Sequence, residues 1–194
     1  MKTNQARVAW ALMWCLLAVV YLLCAWYIGL DFMAGPEEGI VPTLLVVLLY
    51  LLLGYCLGLA LLAFEQKKRQ GGFSARVGAL LFWTPRILTL VFTAFISLFS
   101  FDVFEGPGSI WLKLGGFLIH SIPALVMLLG SIYAWRHEWL GALVFMGWGV
   151  FYVMSFRGFI LAVYFQLGVL PFSLGLLYLL NWLYRADVRL ARGG

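Results

Sequence analysis

The stretch GIVPTLLVVLLYLLLGYCLGLALLAFEQKKRQGG, residues 39–72, decides the fold class of this chain. Its first 26 residues carry no charge, and the cluster Lys67-Lys68-Arg69 follows almost at once. A helix of 26 residues rises by about 39 Å, which is enough to cross the roughly 30 Å hydrocarbon core of a bilayer. The pattern therefore predicts a transmembrane helix that ends at a basic membrane surface.

The same pattern recurs along the rest of the chain. Of its 194 residues, 64% are hydrophobic and only 11% are charged, whereas about a quarter are charged in a soluble domain. Six uncharged runs predict six crossings, at residues 8–30, 39–64, 87–101, 114–135, 139–156 and 158–184. We therefore expect an all-α, polytopic helical membrane protein with short loops.

The basic residues are divided unequally between the two sides that these crossings define. Only Lys113 and Arg157 fall on one side. The other eleven fall opposite, and the positive-inside rule makes that side cytoplasmic, with both termini on it; they are Lys2, Arg7, Lys67, Lys68, Arg69, Arg76, Arg86, Arg136, Arg185, Arg189 and Arg192. Orientation and contact with anionic lipid headgroups explain the net charge of +5, so no nucleic-acid partner is expected. The chain is predicted to be a multi-pass protein of the cell membrane.

The inner loop with Gly71-Gly72 is the strongest break in the chain. It divides an N-terminal two-helix hairpin, residues 1–70, from a four-helix domain, residues 71–194. Thr84-Pro85 is typical of a helix cap and first turn. We therefore expect an interfacial segment at residues 77–83 to bend into a helix at Pro85, although that segment could continue the helix. Arg86 should then extend its side chain to the headgroups.

The last run contains Pro171, which leaves two arrangements open. It is either a kinked helix or a short outer segment that leads into a helix ending near Tyr184. The three arginines at positions 185, 189 and 192 would form a basic stripe if that helix continues. Lipid headgroups are the favoured partner of such a stripe, and an acidic protein is the alternative.

His120 is the ionisable residue predicted to lie deepest in a span, which makes it a functional candidate. Gly116 and Pro123 share its helix face and would let another helix approach closely, so the imidazole is expected to face protein. Ser97, five residues before Asp102, should lie at a similar depth, and a His120–Ser97 hydrogen bond is our leading structural hypothesis. A neutral, packed histidine is favoured over a proton-handling one.

A charged turn, Arg136-His137-Glu138, lies at the predicted inner surface. A histidine beside a glutamate could act in acid–base chemistry, but an interfacial turn is the favoured interpretation. Gly141 stands where a His-Glu-x-x-His zinc motif would need its second histidine. The cysteines at positions 15, 24 and 56 all lie in apolar runs, and we expect them to be free. No metal or other cofactor is expected.

From Pro85 onward the chain resembles an uncharacterised family of small prokaryotic membrane proteins built around a domain of unknown function. The stretches that carry the resemblance are Arg86-Ile87-Leu88, Phe95-Ile96-Ser97-Leu98-Phe99, Asp102-Val103-Phe104, Leu118-Ile119-His120 with Pro123, and Ala134-Trp135-Arg136 with Glu138-Trp139 and Gly141. The resemblance implies a four-helix unit without known activity. It adds weight to six polar residues, namely Arg86, Ser97, Asp102, His120, Arg136 and Glu138.

Short loops and the lack of a recognisable catalytic set favour a non-enzymatic accessory protein or subunit of a membrane complex. Its partner would be another membrane protein or a second copy of the chain. The alternative is a small proton-linked transporter that uses His120, with Asp102 as a second candidate group. A membrane enzyme that works at the turn from Arg136 to Glu138 is the third hypothesis.

Overall fold

A computed structural model describes residues 40–156 and 161–193, with side chains for 47–156 and 163–193. The described elements are α1 (Ile40–Gln70), α2 (Ala75–Leu98) with a 3-10 extension (Phe99–Phe104), α3 (Ile110–Ala134), α4 (Glu138–Ser155), α5 (Leu161–Tyr164), a π-helical turn (Phe165–Val169), α6 (Leu170–Leu183) and α7 (Arg185–Ala191). The all-helical prediction is therefore confirmed for this part of the chain. The first predicted crossing, residues 8–30, lies outside the described residues.

Five segments among the described residues are long and apolar enough to cross a membrane. They are Val47–Gln70, Ala75–Phe104, Ile110–Ala134, Glu138–Ser155 and Phe165–Leu183. Each overlaps one of the uncharged runs, although Ala75–Phe104 begins twelve residues before the predicted run 87–101, so the chain is a multi-pass membrane protein. Its division at residue 70 into two domains stays a prediction.

Four helices close a ring in which α2 contacts α3, α3 contacts α4, α4 contacts α6, and α6 contacts α2. Helix α1 packs on the outside of this ring against α2 and α6. The closest approach is between α4 and α6, where glycines replace larger side chains. A Cβ at Gly175 would lie 2.6 Å from the Met146 backbone nitrogen, and one at Gly149 would lie 2.6 Å from the Gly168 carbonyl oxygen.

Helix α2 begins ten residues before Pro85, so the predicted interfacial segment at residues 77–83 is wrong. Ser74 caps the helix by accepting a hydrogen bond from the Val77 backbone N–H. Pro85 has no N–H to donate to the Leu81 carbonyl one turn earlier. That carbonyl instead accepts a hydrogen bond from Nδ2 of Asn181 on α6, at 3.3 Å. The helix continues through the proline because a neighbouring helix supplies the missing donor.

The last described crossing is helical from Leu161 to Leu183 and includes the π-helical turn just before Pro171. Such a local change of helix type helps a membrane helix to accommodate a proline. Among the described residues the chain therefore follows the arrangement of one helix through Pro171, and this helix ends one residue before the predicted Tyr184. Tyr184 (φ −110°, ψ 27°) then breaks the helix. The three C-terminal arginines therefore lie on and just after the separate helix α7 rather than on a continuation of α6.

Helix α7 folds back onto the first turns of α2. A Cβ at Gly78 of α2 would lie only 2.6 Å from the Cβ of Ala191. The side chain of Val188 is 1% exposed. Lys67 at the end of α1 pairs with Asp187 of α7, with 2.7 Å between Nζ and Oδ2. Helix α7 thereby joins α1 and α2 at the end of the molecule that carries most of the basic residues.

Candidate functional site at the Arg86–Glu138 ion pair

Arg86 is fully buried in α2 rather than extended to the headgroups, which corrects the sequence-based prediction. Its Nη1 donates to the Phe82 carbonyl at 2.7 Å, and its Nη2 donates to Glu138 Oε1 at 3.1 Å. A longer bond of 3.4 Å joins Nη2 to the Trp135 carbonyl. A buried guanidinium is tolerated because a carboxylate and backbone carbonyls surround it. The ion pair ties the middle of α2 to the turn between α3 and α4.

The ring of Phe82 lies between two guanidinium groups. The Cζ of Arg86 is 3.7 Å from the ring centroid, and the Cζ of Arg192 is 3.6 Å from it. Two groups that close to one centroid must occupy opposite faces of the ring. Each face attracts a cation because its π-electrons carry negative charge. Arg192, which follows α7, thus covers the buried ion pair from the side of the C-terminal helix.

A layer of polar side chains extends the site towards α6. Thr89 donates to the Pro85 carbonyl at 2.7 Å, which leaves its oxygen to accept from the Tyr178 hydroxyl at 3.3 Å. Tyr178 is fully buried and packs over Gly141, where a Cβ would lie 2.7 Å from its ring. The glycine that interrupts the zinc-like motif therefore makes room for this tyrosine.

Sequence reasoning missed Tyr178, Thr89 and Asn181 as members of this site. A signal for Asn181 was available, because Pro85 inside a helix predicts an unpaired carbonyl at Leu81 that needs a donor. Asn181 is an amide within the uncharged run 158–184. The other two side chains enter the site only through helix packing, which the pattern of the sequence does not reveal.

Arg86 and Glu138 are the two predicted site residues that the structure brings together. Arg136, two residues before Glu138, is exposed, and so is His137 between them. Only the glutamate of that charged turn points into the bundle. The carboxylate that the acid–base hypothesis would use at this turn is held in the ion pair with Arg86.

The predicted hydrogen bond between His120 and Ser97 is wrong. His120 Nδ1 bonds to the Gly116 carbonyl at 2.9 Å, and Ser97 Oγ donates to the Ala94 carbonyl at 2.7 Å. Each side chain thus uses a carbonyl one turn earlier on its own helix. His120 is also exposed rather than packed against protein. Asp102 is exposed in the 3-10 extension of α2.

Metal-binding side chains do not gather in the part of the chain that the structure describes. No group of three or more His, Cys, Asp or Glu residues among residues 40–156 and 161–193 could hold a metal ion. Cys56 is buried and free, as the sequence predicts. The arrangement at Arg86 is suited to fixing helices relative to one another.

Five apolar spans and a buried ion pair between helices define the class of this protein, a multi-pass helical membrane protein. The family model described as "Domain of unknown function (DUF7670)" matches residues 73–189, which is more than half of the chain. The chain therefore belongs to this family. The match begins just before the Ser74 cap of α2, twelve residues earlier than the sequence resemblance indicated, and extends into α7. Neither a curated protein nor a solved structure matches the chain.

Proposed function

We propose that this protein is a non-enzymatic membrane subunit that binds another membrane protein, or a second copy of itself, through α3. The exposed imidazole of His120 is the observation that supports this function. It lies about 15 Å along the axis from the first residue of α3, well inside the span. Ionisable side chains at such depth are rarely exposed to lipid. A second transmembrane surface over α3 would remove this exposure.

The hydrogen bonding of His120 indicates what the partner must offer. A carbonyl only accepts, so the bond to Gly116 requires the proton on Nδ1. Nε2 of the neutral ring is then an acceptor, and the described residues offer it no hydrogen-bond donor. Leu118 and Ile119 beside it are each 66% exposed. A partner helix with a hydroxyl or amide donor at this depth would fit, and its apolar packing would add to a hydrogen bond worth about 1 kcal/mol.

His120→Phe in the full chain tests this proposal. Tyr133→Phe is the matched control, since Tyr133 is also exposed on α3 but lies near its other end. Native mass spectrometry of gently solubilised protein and energy transfer between labelled copies in liposomes report the assembly. We expect a complex in the wild type and in Tyr133→Phe, and its loss in His120→Phe.

A wild-type protein that is monomeric and without a partner in both measurements would overturn the proposal. If that monomer carries a pH-dependent flux that His120→Ala abolishes, the proton-linked transporter becomes the better hypothesis. If His120→Phe assembles as fully as the wild type, the imidazole has no part in assembly.

We also infer that the basic end of the bundle faces the cytoplasm in the cell membrane, as the prediction of cytoplasmic termini requires. The net charge of +8 on that side and −3 on the other supports this orientation. In a chain with its native cysteines replaced, an impermeant maleimide should label Glu105→Cys in intact cells. Lys68→Cys should react only after permeabilisation. The reverse pattern would show the opposite orientation.

A further inference from the structure

The basic end of the molecule, defined as residues 65–76, 135–138 and 184–193, carries an uncompensated positive charge. Its acidic side chains are all engaged within the described residues, because Glu65 pairs with Arg69, Glu138 with Arg86 and Asp187 with Lys67. The exposed cations that remain have no acidic residue left at this end; they are Lys68, Arg76, Arg136, Arg185, Arg189 and Arg192. Such a surface attracts an anion.

A concavity at the turn between α6 and α7 lies beside part of this uncompensated charge. It has a volume of about 300 Å³ and is lined by Trp182, Leu183 and Arg185. Arg189 follows Arg185 by four residues on α7, so the two exposed side chains project from the same face of the helix. Asp187, between them in sequence, is held by Lys67 at 2.7 Å. Its charge is therefore already compensated.

The apolar surroundings of these arginines indicate what kind of anion fits. Trp182 is 39% exposed and Leu183 is 55% exposed, while Leu190 beside Arg189 is 73% exposed. Tryptophan prefers the headgroup level of a bilayer, and arginine binds phosphate with two parallel hydrogen bonds. Cations next to exposed apolar side chains suit a ligand that has a phosphate and an acyl chain. Free inorganic phosphate would contact only the cations and would leave the apolar side chains exposed.

We propose that the concavity at the α6–α7 turn binds an anionic phospholipid. Arg185 and Arg189 hold its phosphate, and Trp182 and Leu183 contact the start of its acyl chains. Helix α7 keeps the arginines in place because Val188 is buried against α2. A site on a fixed helix loses less conformational freedom on binding than one on a flexible tail. This proposal does not depend on lateral assembly through α3.

The test compares two double variants of the full chain that change the net charge equally. Arg185→Gln/Arg189→Gln removes the proposed site, and Lys68→Gln/Arg76→Gln removes two exposed cations elsewhere at the basic end. Native mass spectrometry measures the retention of phosphatidylglycerol and of zwitterionic phosphatidylcholine. Each arginine lost should weaken phosphatidylglycerol binding about fivefold. The control pair should change it less than twofold, and phosphatidylcholine should bind weakly throughout.

Equal losses in both double variants would overturn the proposal, since they would show diffuse attraction to the whole basic end. Competition by millimolar inorganic phosphate would show a site for free anions instead of lipid. An acidic protein that co-purifies with the wild type and is lost in Arg185→Gln/Arg189→Gln, with lipid binding unchanged, would also overturn it.

Tryptophan fluorescence gives a second readout that separates lipid contact from folding. Phosphatidylglycerol with brominated acyl chains quenches tryptophans that it touches, and part of this quenching should disappear in Trp182→Phe. Circular dichroism of each variant checks that the helices remain. Unchanged quenching in a folded Trp182→Phe variant would contradict the proposed acyl-chain contact.

Discussion

Arg86 carries a charge that α2 can bury because partners on α2 itself and beyond it compensate that charge. Glu138 supplies the carboxylate, and the Phe82 and Trp135 carbonyls take further hydrogen bonds. Loss of one member leaves the other charge buried without compensation, which is the costly case for an ion pair. Replacement of both members by neutral side chains avoids that cost.

Glu138→Gln should therefore lower the free energy of unfolding by about 3 kcal/mol, and Arg86→Met/Glu138→Gln should recover much of the loss. Glu65→Gln is the control, because its partner Arg69 has a side chain 42% exposed whereas that of Arg86 is fully buried, and this i,i+4 pair should be worth less than about 0.5 kcal/mol. Denaturant unfolding in detergent micelles measures all three. Equal effects of Glu138→Gln and Glu65→Gln would show that burial does not strengthen the pair.

The hydrogen bond from Asn181 to the Leu81 carbonyl makes a second residue-scale prediction. Asn181→Leu leaves that carbonyl unpaired and should cost about 1 kcal/mol. Pro85→Ala restores a backbone N–H one turn later, so Asn181→Leu should cost less in the Pro85→Ala background. A double-mutant cycle of unfolding free energies measures this coupling. Additive effects would mean that the Asn181 amide does not replace the missing proline donor.

At the scale of the elements, uncharged runs predict helices well because a bilayer demands about 20 apolar residues for each crossing. The start of α2 is harder to predict, because the donor that lets Pro85 lie inside a helix comes from α6. The charge pattern predicts that Arg86 and Glu138 lie on the same side of the membrane. Their pairing does not, since it depends on how α2 packs against the turn between α3 and α4.

Helix α7 is held on α2 by a glycine contact, and this can be tested directly. Gly78→Leu adds a side chain where even a Cβ would lie 2.6 Å from Ala191. It should displace α7 and increase hydrogen exchange at residues 185–193 while the spans stay protected. Gly147→Leu is the control, because a Cβ there meets nothing within 4 Å. Equal exchange in the two variants would show that Gly78 does not position α7.

At the scale of the whole molecule, the family match at residues 73–189 includes the four-helix ring and leaves out α1. Yet α1 is closely attached to that ring. Tyr55 Oη on α1 lies 2.9 Å from Thr84 Oγ1 on α2. Lys67, near the end of α1, forms an ion pair with Asp187 on α7. Leu53 and Cys56 are almost fully buried in the shared core. Across the predicted division at residue 70, the described helix α1 therefore packs directly against α2 and α6.

This packing predicts that residues 1–70 and 71–194, produced as two separate chains in the same cell, will associate and co-purify. The break falls beside Gly71, whose φ of 72° marks the turn after α1 and whose N–H makes the last hydrogen bond of that helix, to the Lys67 carbonyl at 3.1 Å. Lys67→Asp in the first chain should reduce recovery of the pair, because it places a second negative charge beside Asp187. Asp187→Lys in the second chain should restore recovery by reversing the ion pair. If the two wild-type chains purify separately, α1 depends on its covalent link to the family domain. If Asp187→Lys does not restore recovery of the pair, the Lys67 contact does not help to hold α1 in place.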